Sequence, residues 1–239
     1  VGLIESAVAR DGAFELIALG RRLERAAATA RLLAAPAQGQ NPRVEMETNY
    51  GNVTFELYPD KAPVTVSNFM NYVQNGFYEG TLFHRVVNRF IIQGGAFTPG
   101  FQYKPDLAPI PNEAANGLRN ERGTLAMARA YDPDSATAQF FINLDDNKFL
   151  NFHRPHPDYY GYCVFGKVIS GMDVAKKIGA QPTAAGGPFS SDVPVQPVII
   201  EDMALTTGSV PDDANVAETA EPDKPGKKTS KRKKDKTHG

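Results

Sequence analysis

A chain of 239 residues, 41% hydrophobic and 22% charged, has apolar mass for a packed core and suits one domain with extensions or two small domains. Its single cysteine, Cys163, excludes an internal disulfide framework and an all-cysteine metal site, and no apolar run reaches the ~18 residues that a membrane-spanning helix needs. The formal net charge of −1 conceals an asymmetry: residues 224–239 hold eight Lys/Arg against one Asp, so the tail carries +7 and residues 1–223 carry −8.

Residues 1–42 carry five Arg and no Lys, with Ala-rich, helix-forming sequence over Arg25–Ala35. Ala35-Pro36-Ala37-Gln38 has the small-residue character of a signal cleavage region, but Arg31 interrupts the apolar run and acidic residues precede it. Three readings stay open for this extension: a solvated amphipathic helix, a degraded export signal, or sequence that the mature protein lacks.

From Arg43 onward the pattern is that of a packed domain. Val44–Thr48 and Val53–Tyr58 alternate in polarity around Asn49-Tyr50-Gly51-Asn52, which predicts a hairpin. Pro63 suits the first turn of a helix, Val66, Phe69, Met70 and Val73 form one apolar stripe, and Gly76 supplies a stop. Strand-like runs follow at 82–87, 90–93, 124–128, 138–143, 162–169 and 198–205. A short helix over 171–178 places Met172, Ala175 and Ile178 on one side.

In the run Phe83-His84-Arg85-Val86-Val87-Asn88-Arg89-Phe90-Ile91-Ile92-Gln93-Gly94-Gly95, plain alternation puts Arg85 and Val87 on one face and His84 and Val86 on the other. A permanent cation set among large apolar side chains is uncommon on a strand face. His153 and His156 flank prolines in the irregular stretch 151–160, without a nearby cysteine, and no metal site is expected there. Residues 208–223 are a linker by composition, and the Lys-rich tail has no apolar residue with which to pack, so disorder is expected. Weak, non-specific contact of that tail with nucleic acid is open to it through counterion release.

The 83–95 run resembles the signature of the cyclophilin-type peptidyl-prolyl cis-trans isomerases, and further blocks of that family follow in order. They are Gly123–Ala130, Ser135–Asn143, Phe149-Leu150 and Gly161–Val168. The resemblance runs from about Arg43 to Leu205 and is nearest to compact bacterial members. It implies a mostly β fold, a closed eight-stranded antiparallel barrel capped by two α-helices. It divides the chain into an N-terminal extension (1–42), an isomerase domain (43–205) and a disordered linker with tail (206–239).

The activity implied is rotation about Xaa-Pro bonds of polypeptides, assisting folding, with no cofactor. The alternative is a module that holds proline segments without turnover. The resemblance puts the catalytic arginine at Arg85 and a substrate-holding amide at Gln93. It puts the proline pocket on Phe90, Ile91, Phe141 and Leu150, with Met127, Gln139, Phe149 and Tyr162 beside them. Ala128 and Arg129 would present backbone groups to the residue before proline. Three positions depart from common family members: Phe149 replaces a tryptophan, Tyr162 a histidine and Arg129 an asparagine. The tryptophan change puts tight binding of the cyclic peptide cyclosporin in doubt. A cytoplasmic monomer is expected, with the periplasm as the alternative if residues 1–42 export the chain.

Overall fold

The computed structural model describes residues 41–206. The expectations for residues 1–40 and 207–239 fall outside the described residues. Arg43–Thr48 (β1) and Gly51–Leu57 (β2) form the expected hairpin, in which the Thr48 hydroxyl donates to the Gly51 carbonyl at 2.7 Å. Pro63–Gln74 (α1) follows, with Pro63 in its first turn and Val66, Phe69 and Val73 buried. Its cap is not local. The free N–H groups of Val64 and Thr65 donate to the Glu113 carboxylate at 3.2 and 2.8 Å, and the Thr65 hydroxyl donates to it at 2.7 Å.

The remaining barrel strands are Thr81–Val87 (β3), Ile91–Gly94 (β4), Thr124–Met127 (β5), Phe140–Asn143 (β6), Val164–Ser170 (β7) and Ile199–Thr206 (β10). They close with β1 and β2 into an antiparallel barrel of order β1-β10-β3-β4-β6-β5-β7-β2, as the resemblance implies. Met172–Gly179 (α2) is the second helix and buries Ala175 and Ile178. Phe69 of α1 reaches into the barrel, with ring centroids 5.3 Å from Tyr78, 5.6 Å from Phe140 and 5.0 Å from Phe165. Gly94 allows β4 to lie close against β3, and Gly95 lets the chain that follows pass the Tyr78 ring. A Cβ at Gly94 would sit 2.7 Å from the Leu82 carbonyl oxygen, and one at Gly95 would sit 2.8 Å from the Tyr78 ring.

Two features differ from the sequence reading. A second, two-stranded sheet, Thr183–Gly186 (β8) with Phe189–Pro194 (β9), stands outside the barrel in a stretch left without an element. Half of its residues are exposed, and burial in β9 falls on the adjacent pair Val193 and Pro194, so no alternation betrays it. The other difference is in β3. Phe83 pairs with Gly94 and Arg85 with Gln93, so His84 is an extra residue, a β-bulge. Phe83 and Val86 both belong to the barrel core, while His84 and Arg85 both line the groove described below. Plain alternation fails here because the bulge resets it.

Candidate active site

A single transverse row crosses four neighbouring strands. Arg85 on β3 stands opposite Gln93 on β4, Gln93 opposite Phe141 on β6, and Phe141 opposite Ala126 on β5. Directly opposed residues have Cβ atoms about 4.5–5.5 Å apart, so the register alone sets a guanidinium, an amide and an aromatic ring side by side. The inward positions Ile92, Ile142 and Leu125 fill the barrel. The outward ones, Ile91, Phe141, Ala126 and Val164 with Leu150, make a separate apolar cluster, against which Phe90, Ala128 and Tyr162 pack.

Over that cluster lies a groove of about 360 Å³, whose polar lining includes Arg85, Gln93 and Gln139. Gln93 Nε2 donates to Gln139 Oε1 at 3.2 Å, which fixes the orientation of both amides. Phe90 enters through the β3–β4 turn, where its N–H donates to the Val87 carbonyl at 3.1 Å and Arg89 takes a left-handed φ of 57°. The Arg85 guanidinium lies 5.9 Å from the Phe90 ring centroid and pairs with Asp192 of β9, Nε to Oδ2, at 3.7 Å.

A buried asparagine network holds the groove walls. Asn147 Nδ2 donates to the Phe90 carbonyl at 3.0 Å and to Asn143 Oδ1 at 2.7 Å. Asn143 Nδ2 donates to Asn120 Oδ1 at 3.1 Å. Asn120 Nδ2 in turn donates to the carbonyls of Leu150 at 3.0 Å and Tyr162 at 3.2 Å. Three side chains thereby tie together the turns that carry three groove residues.

Of the twelve residues singled out in the sequence, ten line the groove and two do not. Met127 is buried in the barrel core. Phe149 is 69% exposed at the rim, its ring stacked on Phe90 with centroids 5.5 Å apart. Arg129 is committed to the scaffold. Nε donates to Gly161 O at 2.9 Å, Nη1 to Ala130 O at 2.9 Å and Tyr131 O at 3.1 Å, and Nη2 to Pro157 O at 3.1 Å, with the Tyr162 ring centroid 4.8 Å away. The Ala128 N–H donates to the Gln139 carbonyl at 2.9 Å.

Sequence reasoning missed Phe97 and Phe189, which also line the groove. Their rings flank His84, with centroids 4.8 and 5.1 Å away. Desolvation of the buried imidazole lowers its pKa to about 4; a hydrogen bond with the Leu82 backbone opposes the shift and the Arg85 charge adds to it. Burial pushes the Cys163 thiol up to about 12, which leaves it neutral and unsuited to nucleophilic attack. His156 caps the short 3₁₀ turn Pro157–Tyr159 by accepting from the Asp158 N–H at 3.3 Å. Among the described residues no cluster of three or more His, Cys, Asp or Glu is arranged to hold a metal.

The family described as "Cyclophilin type peptidyl-prolyl cis-trans isomerase/CLD" matches residues 43–205, more than half the chain. A second family, "a predicted alpha-helical domain with a conserved ER motif", matches residues 1–57, but residues 43–57 of that span form β1 and β2. A peptidyl-prolyl cis-trans isomerase of Acinetobacter baylyi is 57% identical over 160 residues, spanning 67% of this chain and 83% of the relative. Peptidyl-prolyl cis-trans isomerase B of Escherichia coli is 52% identical over 163 residues, 68% of this chain and 99% of the relative. Among solved structures, a Cryptosporidium parvum cyclophilin type peptidyl-prolyl cis-trans isomerase, crystallised in the presence of the dipeptide Ala-Pro, aligns with a TM-score of 0.59. It is 29% identical, and the alignment covers 70% of this chain and 99% of that one. The chain belongs to the cyclophilin-type peptidyl-prolyl cis-trans isomerases and is an enzyme of the Xaa-Pro peptide bond.

Proposed function

We propose that the isomerisation takes place in the groove beside Arg85, with Arg85 as the group that stabilises the twisted amide. The observation that carries this reading is the cross-strand row, which sets Arg85 next to Gln93 and both against an apolar wall. The uncatalysed barrier of about 18–20 kcal/mol comes from amide resonance. At the transition state the prolyl nitrogen loses conjugation and regains a lone pair. An Arg85 N–H donates to that nitrogen far more strongly in the twisted state than in the planar one, which is what lowers a barrier rather than merely tightening binding.

A charged donor of this kind contributes about 1.5–3 kcal/mol, roughly ten- to a hundredfold in rate at about 1.36 kcal/mol per decade. Phe141, Leu150 and Ile91 take the apolar proline ring. Gln93, steadied by Gln139, holds a substrate carbonyl so that one end stays fixed while the other turns. With its N–H already engaged, Ala128 serves the residue before proline through its carbonyl. No proton moves and no bond breaks, so a neutral His84 is compatible with full activity.

The wider setting is part of the same proposal: a monomeric catalytic domain over 43–205, acting on proline-containing polypeptides in the cytoplasm. The +7 tail supports weak, salt-sensitive contact with nucleic acid. The test of the site uses a proline peptide followed by two-dimensional exchange NMR with catalytic amounts of the full chain. Exchange cross-peaks are expected, together with amide shifts at Gln93, Ala128 and Phe141. Exchange accompanied by shifts confined to residues remote from the groove would refute the assignment.

A further inference from the structure

We infer that Asp192, carried by the β8–β9 hairpin, is a positioning residue that holds Arg85 in the orientation in which it meets the twisted prolyl amide. The inference rests on the assignment of Arg85 as the stabilising donor. An arginine on a groove wall has four side-chain torsions, and its Phe90 contact at 5.9 Å restrains the plane of the guanidinium only loosely. Asp192 Oδ2 faces Nε at 3.7 Å. Facing that edge, which Nε shares with one Nη, leaves the outer edge of the guanidinium, between the two Nη groups, to donate to substrate.

Isolated surface ion pairs contribute little, because two mobile chains must be ordered to form them. Here one partner is short and its backbone is fixed. Asp192 has φ of 67°, a left-handed conformation that is sparse for residues other than glycine and tolerated best by Asn and Asp. The hairpin carrying it is docked firmly. Phe189 packs on the His84 ring (5.1 Å) and the Phe97 ring (5.2 Å), and Val193 and Pro194 are buried. The β3 bulge completes the arrangement by sending His84 and Arg85 to the same side, so one residue seats the hairpin and the next receives its carboxylate.

Asp192 is not among the groove-lining residues, so its loss should leave the apolar wall that binds proline intact. The deficit therefore belongs in kcat. The test compares kcat and KM for Xaa-Pro peptides in the full chain, its Asp192→Asn and Asp192→Glu variants, Arg85→Ala, and the Arg85→Ala/Asp192→Asn double variant. Asn is chosen because it accepts the left-handed backbone.

The expected result is a kcat lowered roughly three- to tenfold in Asp192→Asn, with KM little changed. Partial recovery is expected in Asp192→Glu, and no further loss when Asp192→Asn is added to Arg85→Ala. An unchanged kcat in Asp192→Asn overturns the inference. So does a loss of equal size in the Arg85→Ala background, or one carried by KM. If Arg85→Ala alone keeps full activity, the Arg85 assignment fails and the inference with it. A fully active Asp192→Asn beside an impaired Arg85→Ala sinks the inference alone.

Discussion

At the scale of single residues, two neighbours on β3 do opposite electrostatic work. Arg85 stays charged on the groove wall, whereas His84 is buried beneath the hairpin with its pKa lowered to about 4. For Arg85 the prediction concerns shape as well as charge. Arg85→Lys keeps the cation but loses the planar fork proposed to meet Asp192 and substrate together, so kcat/KM should fall about tenfold by protease-coupled assay. For His84 the prediction is one of linkage. Its folded pKa lies below the ordinary 6.5, so the unfolded chain binds the extra proton between those values. The contribution to stability is complete above about 6.5 and lost as pH falls towards 4, on the order of 3 kcal/mol. Urea unfolding at pH 7 and pH 4.5 measures it, and His84→Phe should flatten the part of the dependence that this residue causes.

At the scale of elements, the groove depends on polar ties between distant turns. Asn143 is fully buried, and Asn143→Ala leaves the Asn147 and Asn120 amides short of partners. A loss of about 2–3 kcal/mol in urea unfolding is expected, accompanied by lower kcat/KM because the Phe90 and Leu150 turns loosen. The remote cap on α1 is a second tie. Glu113→Ala frees the Val64 and Thr65 N–H groups and should shift the urea midpoint by about 1–2 kcal/mol at constant m, with little effect on activity. Neither tie was legible in the sequence, because the partners are 48 and 23 residues apart and no local spacing signals them. The β8–β9 hairpin was equally silent: it is held by Phe189 on the outside of β3 rather than by an alternating face of its own.

At the scale of the molecule, the barrel strands and both helices were legible because each buries one periodic face in a common core, as Phe69 of α1 and Ile178 of α2 do. The candidate site was legible through the order of its sequence blocks, since Arg85 and Gln93 sit on one hairpin and Phe141 on the next strand in the barrel. What the sequence did not carry was the bulge at His84, an outcome of register between strands rather than of composition. The proposed apparatus of a permanently charged donor, a neutral amide and an apolar wall also predicts its own pH behaviour. Catalysis without proton transfer should give kcat/KM flat from about pH 6 to 9, where neither Arg85 nor His84 changes charge. A bell-shaped profile would point instead to a titrating group in the site.

The most direct test is kcat/KM for an Xaa-Pro peptide in the full chain and in its Arg85→Ala variant, with far-UV circular dichroism confirming that both are folded. The account predicts efficient isomerisation that falls about ten- to a hundredfold on the substitution. Equal activity in the two proteins would contradict it and remove Arg85 from the centre of the mechanism.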